Sequence, residues 1–70
     1  MRRYAVVLEN GGTGWGAYVP DLPGCVATGR TVEETEQRIR EAVELHLWGM
    51  REDGLPIPQP TSYVNYVDVA

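Results

Sequence analysis

The stretch VPDLPGCVATGRTVEET, Val19 to Thr35, places Pro20, Pro23 and Gly24 just ahead of a lone thiol, Cys25. A short apolar piece and then a helix start follow. The prolines hold φ near one value and Gly24 supplies freedom the other residues lack, so PDLPG reads as a tight turn. Two interpretations diverge here. A nucleophilic cysteine just before a helix points to an enzyme, whereas a shape-setting turn points elsewhere.

At Thr31 the pattern becomes helical. Thr31 and Glu34 have the S/T-x-x-E spacing of a capping box, in which each side chain takes up the other residue's free backbone N–H. Glu33, Glu34 and Glu36 add negative charge near the positive end of the helix dipole. The helix is expected from Val32 to Asp53, with Gly54 as its C-cap and Pro56 just beyond. LPIPQP then reads as a stiff extended connector. The closing run SYVNYVDV, rich in Val and Tyr, reads as a last strand.

Upstream, YAVVLE carries Tyr4, Val6 and Leu8 on one side and Ala5 and Val7 on the other. A strand apolar on both faces suits a central position. NGGTG turns the chain into WGAYVPDL, where Pro20 should end regular pairing, and DLPG turns it again into CVATG. The order strand, strand, strand, helix, strand makes a two-layer α+β domain. One helix packs on a mixed sheet of about four strands, the last reached by the helix crossover.

Seventy residues allow one small domain, burying only about 60% of the surface its unfolded chain exposes. A single cysteine excludes an internal disulfide, and a single histidine excludes a His/Cys zinc cluster. Small domains without such staples rely on association, so a homodimer or higher oligomer is expected. The N-terminal apolar run ends at Leu8, too short for a signal-peptide core, and no segment approaches a membrane span. A cytoplasmic location follows. Six arginines and no lysine stand against ten acidic residues, a net charge of −4. That sign opposes direct DNA or RNA binding and suits a basic protein partner.

At roughly 100° per residue, Val32, Thr35, Ile39, Ala42, Val43, His46, Leu47 and Met50 share the helix side meant for the sheet. Leu45 and Trp48 fall off that stripe among Glu41, Glu44 and Glu52. An i, i+3 pair containing Trp, a frequent interface anchor, marks a contact with another chain or packing by the tail. The last strand also has two apolar faces: Tyr63, Val67 and Val69 on one, Val64 and Tyr66 on the other. One helix cannot cover both.

Cys25 and His46 form the one possible nucleophilic pair. His46 is expected to be buried and neutral in the core stripe, and no Asn or Asp is placed to orient it. GGTGWG lacks the Lys-Ser/Thr of a phosphate-cradling loop and opens no helix, so it reads as a hairpin turn. Glu9, Asp21 and Asp68 are the only strand carboxylates, and their spacing matches no metal loop. The residues imply no cofactor and no enzyme.

The segments YAVVLE, VPDLPGCVATGRTVEE and EAVELHLWGMREDGLPIPQP together resemble the N-terminal domain of HicB-like antitoxins across nearly the whole chain. The resemblance implies a partial RNase H-like fold with the last strand beside the first. It also implies that the chain neutralises a small basic RNA-cleaving toxin of the HicA kind by covering its active site. In that reading Pro20, Asp21, Leu22, Pro23, Gly24 and Cys25 are a structural turn, and Thr31 and Glu34 are a cap. Leu45, Trp48, Tyr63 and Val67 are the candidate contacts. Typical members continue into a DNA-binding segment, whereas residues 1–70 are expected to form a single domain without one. A stand-alone homo-oligomeric scaffold or ligand-binding domain without a toxin is the alternative from another class.

Overall fold

The computed structural model describes residues 2–70. Three strands, β1 (Val7–Asn10), β2 (Trp15–Tyr18) and β3 (Val26–Gly29), precede one helix, α1 (Val32–Glu52). The sheet is antiparallel in the order β1-β2-β3, and α1 packs across all three strands. The chain is therefore α+β, as its pattern predicts.

The first hairpin is set by local chemistry. Asn10 pairs with Trp15 at the end of the ladder, leaving Gly11–Gly14 as the loop. Within it the Gly11 N–H donates to the Gly14 carbonyl at 2.7 Å, and the Asn10 side chain accepts from the Gly12 N–H at 2.8 Å. Gly12 has φ +89°, a conformation other residues rarely adopt. GGTGWG is thus a hairpin turn, as expected.

The core is built from Ala17, Val19, Leu22, Cys25 and Ile39. Tyr4, Val6, Leu8, Ala27, Ala42, Val43 and Leu47 pack around it. Thr35 is the one buried polar side chain among the described residues, and its hydroxyl donates to the Thr31 carbonyl at 2.7 Å. Gly29 permits this closeness between β3 and α1. A Cβ there would stand 2.5 Å from Thr35 Oγ1 and 2.9 Å from the Thr35 backbone nitrogen.

The helix ends largely follow the sequence. Thr31 has extended backbone and its Oγ1 accepts from the Glu34 N–H at 3.1 Å. The return arm differs from a capping box, because Glu34 Oε1 accepts from the N–H of Arg30, one residue before the cap, at 2.9 Å. At the other end Asp53 is the C-cap, one residue before the expected Gly54, which follows with φ +68°. The Leu55 N–H reaches Met50 and the Gly54 N–H reaches Arg51, the two bonds of a Schellman motif. His46, expected to be buried, is only half-buried and lies outside the core cluster.

The C-terminal run departs from expectation. No fourth strand forms: residues 55–70 have no regular secondary structure, and among the described residues no backbone hydrogen bond joins them to β1. β1 accordingly starts at Val7 rather than Tyr4 and is an edge, so β2, not the first strand, is central. A strand needs both a neighbouring edge and an apolar cover. Here α1 covers one face of the sheet, and among the described residues no second layer of regular structure covers the other. The tail is held at its start and free thereafter.

Candidate protein-binding site

PDLPG is two successive turns sharing one residue. The Leu22 N–H donates to the Val19 carbonyl at 3.1 Å, and the Cys25 N–H donates to the Leu22 carbonyl at 3.0 Å. Pro23 then occupies the second position of a turn whose third residue, Gly24, has φ +85°, the pattern of a type II turn. The Val19 N–H closes the loop onto the Cys25 carbonyl at 3.2 Å. At its centre Leu22 is 0% exposed. The motif is an anchor driven into the core.

Cys25 lies in that core, and burial pushes its thiol pKa up. A nucleophilic cysteine needs the opposite shift and a partner base. Among the described residues no side-chain hydrogen bond joins Cys25 to His46. The Cys–His pair is thus not hydrogen-bonded, and no group of three or more potential metal-binding side chains occurs among the described residues.

Asp21 has a role the sequence did not reveal. Its Oδ2 accepts from the backbone N–H groups of Thr61 and Ser62 at 2.9 and 2.8 Å. Its Oδ1 accepts from their hydroxyls at 3.0 and 2.9 Å. These bonds, the Ser62 amide first, hold its carboxyl below the ordinary pKa. The Tyr4 hydroxyl adds a second tie by donating to the Pro58 carbonyl. The adjacent Thr-Ser pair after Pro60 was the available signal, but its partner lies forty residues away.

Beyond Ser62 the tail exposes side chains of both alternations: Tyr63 87%, Tyr66 88%, Val67 81% and Val69 87%. On α1, Leu45 and Trp48 are also exposed, Trp48 by 58%. Exposed Glu41, Glu44 and Glu52 lie on the same stretch of helix. Of the four candidate contacts, Leu45 and Trp48 thus share a rigid helix, whereas Tyr63 and Val67 lie on the free tail. A third feature is an open groove lined by Gly14, Trp15, Thr28, Gly29, Arg30 and Arg38. Its Arg38 is tied to the Thr28 carbonyl at 3.0 Å and to Glu34 at 3.4 Å. No helix among the described residues is long and apolar enough to cross a membrane.

A protein of 14.9 kDa from the rep-hol intergenic region of Haemophilus phage HP1 is 32% identical over 65 residues, 93% of this chain. The chain spans about half, 49%, of that phage protein. A UPF0150 protein of Helicobacter pylori is 35% identical over 65 residues, covering 91% of this chain and 90% of its own length. Among solved structures, a chain of a HicA3 and HicB3 toxin-antitoxin complex matches with a TM-score of 0.73 and 27% identity. That match covers 86% of this chain and 70% of the other. The family model for the HicB-like antitoxin of bacterial toxin-antitoxin systems matches residues 4–69, nearly the whole chain: this chain belongs to the HicB-like antitoxin family.

Proposed function

We propose that the chain is an antitoxin module that neutralises a small basic RNA-cleaving toxin of the HicA kind by covering its active site. The observation that carries this reading is the α1 face on which Leu45 and Trp48 stand exposed among Glu41, Glu44 and Glu52. An apolar anchor ringed by carboxylates suits a basic protein, which the charges steer and the Trp holds. Family membership and the fold match to a toxin–antitoxin complex support the same partner. In this reading the module acts by binding alone, with no chemistry of its own. The run 62–69 is kept as the fourth strand of a partial RNase H-like sheet, formed only in an assembly.

The test is to look for a small basic reading frame beside the gene and to co-express it with this chain, followed by pull-down and an RNA-cleavage assay. A stable complex that silences cleavage is expected, and Trp48→Glu should weaken it by at least roughly tenfold, the effect of about 1.4 kcal/mol at one anchor. No complex at micromolar concentration would favour the scaffold reading, to which the exposed tail lends its own support.

A further inference from the structure

We infer that the hollow beside α1, over the β1 half of the sheet, is a docking groove for an acidic amphipathic helix of a second protein partner, distinct from the proposed toxin. A helix is about 10 Å across, and three strands at about 4.8 Å spacing make a sheet wider than that. α1 lies off-centre on it, mostly against β3 and β2 and least against β1. The strip left beside it has Tyr4 and Val6 on one wall and Val43 and Leu47 on the other, all half-buried. Two adjoining hollows of about 570 and 280 Å³ run along the strip, sharing Arg2, Tyr4 and Val43.

The charges beside this strip choose its occupant. Three of the six arginines, Arg2, Arg40 and Arg51, line it, on a chain whose net charge is −4. The one ion pair among the described residues joins Arg38 to Glu34, so these three make none of their own. Glu36 and Glu44 stand on the helix wall one turn to either side of Arg40 and offset its charge. Positive charge is therefore concentrated in the hollow flanked by Arg2 and Arg51, beside the last turn of α1.

A helix laid antiparallel to α1 matches that distribution. Its first turn would lie at Arg2 and Arg51, and acidic residues are favoured in the first turn of a helix. Its apolar side chains, at helical spacing, would fill the strip between Val6 and Val43. A basic helix would instead meet guanidinium groups that no carboxylate neutralises. The proposed toxin uses the other side of α1, where Leu45 and Trp48 stand among glutamates. One helix thus carries a surface of each sign, and the two need not compete.

The test titrates the whole chain with a labelled amphipathic peptide of about 15 residues, acidic in its first turn and with leucines at i, i+3, i+4 and i+7. Its twin carries lysines in place of the acids. Fluorescence anisotropy should show the acidic peptide binding at least roughly tenfold tighter, with amide NMR shifts at Tyr4, Val6, Val43 and Leu47. Arg51→Glu should reverse the preference between the peptides, and Arg2→Glu should weaken the acidic one; both residues are exposed. Trp48→Glu should leave this binding unchanged, which separates the outcome from that of the toxin reading. No binding at high micromolar concentration, or equal affinity for the twins, would overturn the inference. So would shifts centred on Leu45 and Trp48. A dimer in sedimentation that Arg51→Glu dissolves would overturn it too, because a second copy would then fill the groove.

Discussion

Both the amide and the hydroxyl of Ser62 donate to the carboxylate of Asp21, at 2.8 and 2.9 Å, joining the first tight turn to the start of the C-terminal tail. Thr61 repeats the arrangement on the same two oxygens. One side chain in the PDLPG turn thus decides where the last eight residues leave the body.

Asp21→Asn should release the tail. An amide has one oxygen in place of two and loses the charge that strengthens all four bonds. The amides of Thr61 and Ser62 are expected to exchange faster, with the core amides unaffected. The pH dependence has a definite sign. The pKa of Asp21 is depressed in the folded state, so its contribution is present above the ordinary aspartate range and is lost as pH falls through the folded value. Tail protection should therefore fall in acid in the native chain and show no such step in Asp21→Asn, as measured by hydrogen exchange across pH.

Leu22→Ala should be among the most damaging single changes. Leu22 is fully buried at the centre of the turn, and truncation leaves a cavity costing about 2–5 kcal/mol. A domain of this size has a total stability of the same order. Urea unfolding should show a midpoint far below the native one, or no cooperative transition.

Gly29→Ala tests the seam between β3 and α1. The added carbon would meet the Thr35 backbone nitrogen at 2.9 Å, and backbone does not yield as a flexible side chain does. A cost of about 1–3 kcal/mol is expected. Gly16→Ala is the control, since a Cβ there meets nothing within 4 Å. Thermal unfolding of the two variants side by side decides the point.

Cys25→Ser should leave the proposed toxin binding intact, because the buried thiol has a packing role. In the folded protein Cys25 should resist alkylation at neutral pH and react on addition of denaturant, consistent with its burial and raised pKa. Rapid labelling of the native state would contradict the packing role.

The isolated chain should show no retention of DNA or RNA at physiological salt. Its net charge of −4 gives phosphates no counterion release to drive binding. A mobility-shift assay checks this, with salt-sensitive retention as the contrary result.

What the sequence by itself determined is whatever depends on neighbours along the chain. The Thr31 cap, the glycine after the helix, the Gly-rich hairpin and the apolar stripe of α1 all arise from residues within four positions of one another. Backbone sterics and local hydrogen bonds place them whatever surrounds them. The tertiary structure alone decided what depends on distant partners. Leu22 reads as a turn residue until the turn is seen folded into the core. Asp21 reads as a solvated charge until Thr61 and Ser62 arrive from forty residues away. The run from Tyr63 to Val69 has the composition of a strand, but composition supplies neither an edge nor a cover. A β-strand is a relation between two segments, so an alternating pattern fixes a capacity to pair, and the packing of the whole chain decides whether a partner edge is within reach.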